Sequence, residues 1–192
     1  MKKAAIFILL AWMALAIFPA RASDDFNRAI AYYLVGDLEL AKKNLDAHFS
    51  SRHQPTVKLG FTLLFQGEKW EATKKFRDYL ESNHRSLESL VGISLATADV
   101  KNSLASDNLS KVLRMDPGFA PAYACLGQEH FRRNDFPAAE EYFDKSLRYA
   151  NIPEYNILLG ELLLKTGQAQ RAADLIRPLA ESTPKNYHYA FL

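Results

Sequence analysis

Cysteine occurs once in the 192 residues, so the chain can form neither an internal disulfide nor a multi-thiolate zinc site, and a disulfide-stapled mini-fold and a zinc finger are excluded. Charge of one sign is scarce as well. The 24 Lys plus Arg stand against 22 Asp plus Glu, a formal net charge of +2, which argues against a dedicated nucleic-acid binder. Period-two alternation of apolar and polar residues is missing, so no strand pattern competes with helix. No G-x-S-x-G, P-loop or glycine-rich phosphate cradle occurs either. What the chain does have is apolar residues, at 48% hydrophobic and 12% aromatic against 24% charged. That is enough to bury a core and too much for a disordered tail. The length allows one domain, or two small ones.

The apolar residues are unevenly placed. Met1-Lys2-Lys3 is a short positive start, and Ala4 to Phe18 is an unbroken apolar run of fifteen residues. Pro19 and then Ala20-Arg21-Ala22 follow. This is the tripartite layout of a secretory signal peptide. The run is short of the roughly 20 residues that a stable membrane-spanning helix needs, and Ala20 and Ala22 give the small-x-small pair that a signal peptidase accepts. Residues 1–22 are therefore expected to be a signal peptide cleaved after Ala22, with an uncleaved amino-terminal anchor as the alternative. The mature chain then starts at Ser23 with 170 residues (192 less 22), and loss of Lys2, Lys3 and Arg21 leaves 21 basic against 22 acidic groups, a charge of −1. The expected location is periplasmic or secreted. Charge suggests neither nucleic acid nor an anionic membrane surface as a partner, and the membrane enters only through the signal segment before cleavage.

Beyond that segment a period of about 33 residues organises the chain. An Ala followed four residues later by a large apolar residue recurs as Ala41/Leu45, Ala72/Phe76, Ala105/Leu109, Ala139/Phe143 and Ala172/Ile176, at Ala spacings of 31, 33, 34 and 33. Twelve residues before four of these alanines stands another small residue: Ala29, Gly60, Gly127 and Gly160, with Gly92 thirteen before Ala105. Turn-like pairs lie between the small sites: Gly36-Asp37, Gly67-Glu68, Asn134-Asp135 and Gly167-Gln168. An apolar helical stripe, a turn and a second stripe describe an αα-hairpin. The small residues let the two backbones approach at the crossing, and the large residue fills the space beside it. Stacked hairpins bury one another's remaining apolar faces.

These residues resemble the tetratricopeptide repeat family, whose signature reads W-x2-L-G-x2-Y, then A-x3-F, then P. The fourth hairpin carries Tyr123, Leu126, Gly127, His130, Ala139 and Phe143; the fifth Leu159, Gly160, Leu163, Ala172, Ile176 and Pro184; the second Leu59, Gly60, Leu63, Ala72 and Phe76. The first departs in having Ala29 for Gly, and the third has one extra residue between its helices. The resemblance implies an all-α, right-handed superhelical α-solenoid of about five helix-turn-helix hairpins over residues 23–184, with repeats near 24–54, 55–85, 86–118, 119–152 and 153–185. Residues 185–192 read as the start of a truncated or capping helix: either the sequence is a fragment, or an apolar end is covered by a partner or by another subunit, the last of these giving self-association. Pro178, deep in the last helix, is expected to kink it or end it early.

Catalytic chemistry finds no candidate residues. Of the five His, His48 and His53 are five apart around a helix end, not on one face as an i, i+4 metal pair would be. Glu140 and Glu141 point about 100° apart on a helix and read as a solvated face. Cys125 reads as a buried, inert thiol. The reading is therefore of a non-enzyme with no metal and no cofactor.

The suggestive surface is the inner one, which the resemblance makes a concave groove lined by the first helix of each hairpin. Helical spacing from the small sites puts Phe26, Ile30, Tyr33, Val57, Phe61, Phe65, Ile93, Gln128, Phe131 and Arg132 there. The expectation is a protein partner, a peptide or helix of another envelope or secreted protein, docked at Phe26, Tyr33, Phe61 and Phe65. The competing reading packs these residues between hairpins. Some tetratricopeptide domains grip a peptide carboxylate with Lys, Asn and Arg, and that basic set is not evident here. The implied role is an exported scaffold or adaptor in cell-envelope assembly or secretion. The alternatives are a periplasmic chaperone for an apolar secreted segment and an accessory domain of an enzyme complex.

Overall fold

A computed structural model of the chain describes residues 23–100, 104–150 and 152–182. The expected signal peptide, Pro184 and residues 185–192 lie outside the described residues. Every regular element among the described residues is a helix: α1 (Asp24–Leu34), α2 (Leu38–Ser50), α3 (Pro55–Phe65), α4 (Lys69–Ser82), α5 (Leu87–Thr97), α6 (Ala105–Met115), α7 (Ala120–Arg132), α8 (Phe136–Tyr149), α9 (Tyr155–Lys165) and α10 (Ala169–Ser182). Consecutive helices pair as five antiparallel hairpins, and each hairpin packs on the next. The architecture is the all-α solenoid that the repeat spacing implies.

Local chemistry sets the helix ends. Ser23, Asp37 and Ser86 cap α1, α2 and α5, accepting from the amides of Phe26, Leu40 and Ser89 at 3.2, 3.0 and 3.2 Å; each satisfies a donor that the first turn leaves free. Four hairpin turns close identically. The amides of Asp37, Glu68, Asp135 and Gln168 donate to the carbonyls of Tyr32, Leu63, His130 and Leu163 at 2.9, 2.9, 3.0 and 2.8 Å, the six-to-one bond of a Schellman motif. The residue before each donor has a left-handed backbone, with φ of 87° at Gly36, 87° at Gly67, 59° at Asn134 and 77° at Gly167. Asn134 manages this because a short polar side chain tolerates the left-handed region.

The hairpin crossings are close because glycine faces an aromatic ring. A Cβ built on Gly60 comes within 2.6 Å of the Phe76 ring, and one on Gly92 within 2.3 Å of the same ring. Phe76 is thus wedged between α3 and α5, tying the second hairpin to the third, with Phe61 edge-on at 4.9 Å. Gly127 and Phe143 repeat the arrangement in the fourth hairpin at 2.5 Å. Leu45, Phe76, Leu109, Phe143 and Ile176 are all buried, as are Ala41, Ala72, Ala105, Ala139 and Ala172.

One helix is not where a regular open array puts it. Besides its partner α2, α1 packs against α7 and α9, so it lies across the inside of the curve and joins the first hairpin to the last two. Phe26, Ala29, Ile30 and Ala31 lose all solvent contact. Phe26 meets Phe61 at 5.5 Å, Phe119 at 6.1 Å and the His48 ring at 4.9 Å. Polar groups complete the seat. Tyr155 Oη donates to Asn27 Oδ1 at 3.1 Å, while Arg28 Nε and Tyr32 Oη donate to Glu154 Oε1 at 3.2 and 3.4 Å.

Of the two outcomes expected at Pro178, a kink or an early end, the early end does not occur. α10 runs through Pro178 to Ser182 instead of ending early. Pro178 is on the exposed face, where water can satisfy the carbonyl that the proline nitrogen leaves without a donor. Ile176 and Leu179 remain buried on the other face.

Candidate functional site

The placement of α1 redraws the groove. Phe26, Ile30, Val57, Phe61, Phe65 and Ile93 are buried, so of the apolar docking surface expected at Phe26, Tyr33, Phe61 and Phe65 all but Tyr33 is interior, with Phe26 of the first helix packed on Phe61. Tyr33 stacks on Phe65 at 5.0 Å. Phe131 is half-buried and packs towards Phe136 at 6.0 Å. What stays open on the inner side is a cleft of about 250 Å³ at the carboxy end of α1. Three of the expected groove residues line it: Tyr33, Gln128 and Arg132.

The cleft combines an ion triad, a second acidic group and an apolar floor. Asp99, just after α5, is bridged by two cations: Lys69 at the start of α4 meets Oδ2, and Arg132 at the end of α7 meets Oδ1 at 2.8 Å. The bond from Lys69, with the charges of Lys69 and Arg132, holds the Asp99 carboxyl below its ordinary value. The basic pair that the sequence does not reveal is therefore present, yet Asp99 already engages it. Glu129, nearly buried, has Ser106 Oγ 2.7 Å from both of its oxygens and Arg133 Nη2 at 2.5 Å.

The floor and walls are Leu34, Leu95, Leu109, Ala98, Ala105 and Cys125. Burial, and secondarily the charge of Asp99, pushes the Tyr33 phenol up to about 12. Burial likewise pushes the Cys125 thiol up to about 12. Both are protonated at neutral pH. Cys125 is a packing group, and its thiol is far from the thiolate that nucleophilic chemistry requires. The arrangement can select a side chain or chain end by polar contacts at the mouth and apolar contacts below.

Several of these residues escape sequence reasoning. Lys69, Asp99 and Glu129 come from α4, the α5–α6 connection and α7, and only the curvature of the array brings them together. Two of the histidines have structural places. His48 is buried, with Nδ1 2.6 Å from Ser23 Oγ, and His130 Nδ1 lies 2.9 Å from Asp135 Oδ2 while its ring stacks on Tyr142 at 5.2 Å. Glu140 and Glu141 pair with Arg171 and Lys145 at 3.1 and 2.6 Å on the outer side.

Five hairpins, stacked in series on small-residue crossings around an inner cleft, define an α-solenoid of the tetratricopeptide type. Residues 126–187 match the tetratricopeptide repeat family model. The fold is similar to that of a thermophilic tetratricopeptide repeat protein of Thermus thermophilus, at a TM-score of 0.65 and 18% identity over 88% of this chain and 94% of that one. It is also similar to PilW, a widely conserved type IV pilus biogenesis factor, at 0.59 and 18% over 85% and 79%. A third similar structure is MamA, from residue 41 to its end, of Desulfovibrio magneticus RS-1, at 0.55 and 19% over 86% and 99%. At these identities the likeness is one of fold. No curated protein matches the chain.

Proposed function

We propose that the chain is a non-catalytic protein-interaction scaffold, carried out of the cytoplasm by residues 1–22 to the periplasm or cell surface. There it holds a segment of another envelope or secreted protein and serves envelope assembly or secretion. The observation that carries this reading is the inner cleft, where Lys69, Asp99 and Arg132 surround an entrance above an apolar floor. Such a cleft suits a peptide with one polar end and one apolar side chain, bound by a few oriented polar contacts inside a largely apolar site. The likeness to PilW, itself a pilus biogenesis factor, supports an envelope role. The ion triad favours an adaptor that selects its segment over a chaperone for an apolar one, because desolvating charges against a purely apolar ligand is unfavourable.

The test is capture from the envelope fraction of the source cells with the tagged full chain and with Arg132→Glu. Arg132 is exposed and Lys69 still bridges Asp99 in its absence, so circular dichroism should show the helices retained. A protein retained by the wild type and lost by the variant supports the reading. Identical proteins on both baits would remove the cleft as the binding site.

A further inference from the structure

We infer that α1 is a resident occupant of a helix-binding groove, and that an amphipathic helix of a partner protein displaces it by placing an arginine on both oxygens of Glu154. The inference rests on the reading of the chain as a protein-binding scaffold and adds how its larger groove is controlled.

α1 has the form of a bound ligand. Its apolar ridge of Phe26, Ile30 and Tyr33 has the i, i+4, i+7 spacing with which an amphipathic helix enters a groove. The groove is floored by the neighbouring α2 and walled by distant parts of the chain: Phe61 of α3, Phe119 ahead of α7, and Glu154 and Tyr155 at the start of α9. The close glycine–aromatic crossings, Phe76 on Gly60 and Gly92 and Phe143 on Gly127, use no residue of α1. α1 joins the rest of the described chain through the turn at Gly36, closed by the bond from the Asp37 amide to the Tyr32 carbonyl at 2.9 Å.

The seat fits a helix but α1 does not complete it. Arg28 Nε and Tyr32 Oη both address Glu154 Oε1, while Oε2 is buried and accepts no hydrogen bond among the described residues. Arg28 is also divided, with Nη1 3.9 Å from Asp25. At the other end, His48 Nε2 is buried beside Phe26 without a hydrogen bond, with the Glu88 carboxylate 3.9 Å away. A buried polar atom left unpaired keeps its desolvation cost for as long as the occupant stays. A guanidinium reaching both carboxylate oxygens makes the stronger, two-pronged pair. The partner helix is thus defined by its chemistry: an aromatic residue, an aliphatic four positions on, an aromatic seven positions on, small residues beside the aliphatic one, and an arginine free to meet Glu154 end-on.

The test uses the full chain and a fluorescein-labelled peptide of residues 23–36. R28A/Y32F weakens the resident helix and leaves the seat unchanged. Hydrogen exchange should show α1 amides of this variant opening at least tenfold faster than those of the wild type, while α7 and α8 amides keep their rates. The peptide should bind the variant at least tenfold more tightly than the wild type, since apparent affinity scales with the open fraction. A peptide with aspartate at the Phe26 and Ile30 positions should not bind. Adding E154Q should remove the preference for a peptide with arginine over one with lysine at the Arg28 position.

Exchange of α1 only together with α7 and α8, in wild type and variant alike, overturns the inference. So does an opened α1 without peptide binding. A dimer in native mass spectra that excludes the peptide assigns the groove to a second copy of the chain, and that also overturns it. None of these results bears on the cleft, which the Arg132→Glu capture examines separately.

Discussion

Substituting Gly92 by Ala should destabilise the fold although alanine is the better helix former. The Cβ would lie 2.3, 2.5 and 2.7 Å from three atoms of the Phe76 ring, where ordinary contact begins at 3.4 Å. The ring cannot retreat, because the same edge already meets Gly60 and Phe61 stands edge-on at 4.9 Å. An overpacked core side chain costs about 1–3 kcal/mol, occasionally more. The gain in helix propensity offsets about 0.8–1.0 kcal/mol. With an overlap above 1 Å, the upper part of the range applies, for a net loss of about 2 kcal/mol. For a chain of this size that lowers Tm by roughly 4–8 °C.

Urea unfolding of the full chain, followed by far-ultraviolet circular dichroism, measures it. Phe76→Leu in the Gly92→Ala background should recover part of the loss, so that the two substitutions cost less together than their sum. A Gly92→Ala chain as stable as the wild type, or losses that add without recovery, would refute the account of Phe76 as a wedge.

Other outcomes follow from the same geometry. At Gly67, where a Cβ meets nothing within 4 Å but φ is 87°, Ala should cost about 1 kcal/mol by chemical denaturation through backbone strain alone, and Asn, the residue that serves at the matching turn, should cost less. Burial, and secondarily the nearby Arg52, lowers the His48 pKa from 6.5 to about 4. The unfolded chain therefore binds the proton more readily, and stability present above about pH 6.5 should fall towards pH 4. Melting scans across that range should show the decline, and His48→Gln should flatten it. The Cys125 thiol, buried with its pKa up to about 12, should resist a disulfide reagent in the native chain and react at once in denaturant. Equal labelling rates in both states would contradict its packing role.

Much of the fold was legible because each hairpin is a local event. The Ala-x3-large pairs and the turns at Gly36, Gly67, Asn134 and Gly167 act within about thirty residues, and helical spacing fixes which faces meet. The inner surface was less legible because it is made by curvature. Nothing in the segment from Asp24 to Leu34 distinguishes a helix that lines a groove from one that fills it. The distinction lies in Asn27 and Arg28 meeting Tyr155 and Glu154, far along the sequence. Tyr33 reaches the cleft from the carboxy end of α1, and Gln128 and Arg132 reach it from the carboxy half of α7. Lys69 and Asp99 gave no signal, because a surface ion pair has no sequence period.

The contact from α1 to α9 also orders events during synthesis. Asn27 and Tyr155 are 128 residues apart, and at roughly 5–20 residues per second their meeting waits on the order of 6–25 s after the first helix emerges. Through that interval the side chains of Phe26 and Ile30 have no covering surface from the last hairpins. The first helix of the array to be made is therefore among the last to be buried. Its apolar ridge is open to whatever binds nascent apolar helices before its own groove exists.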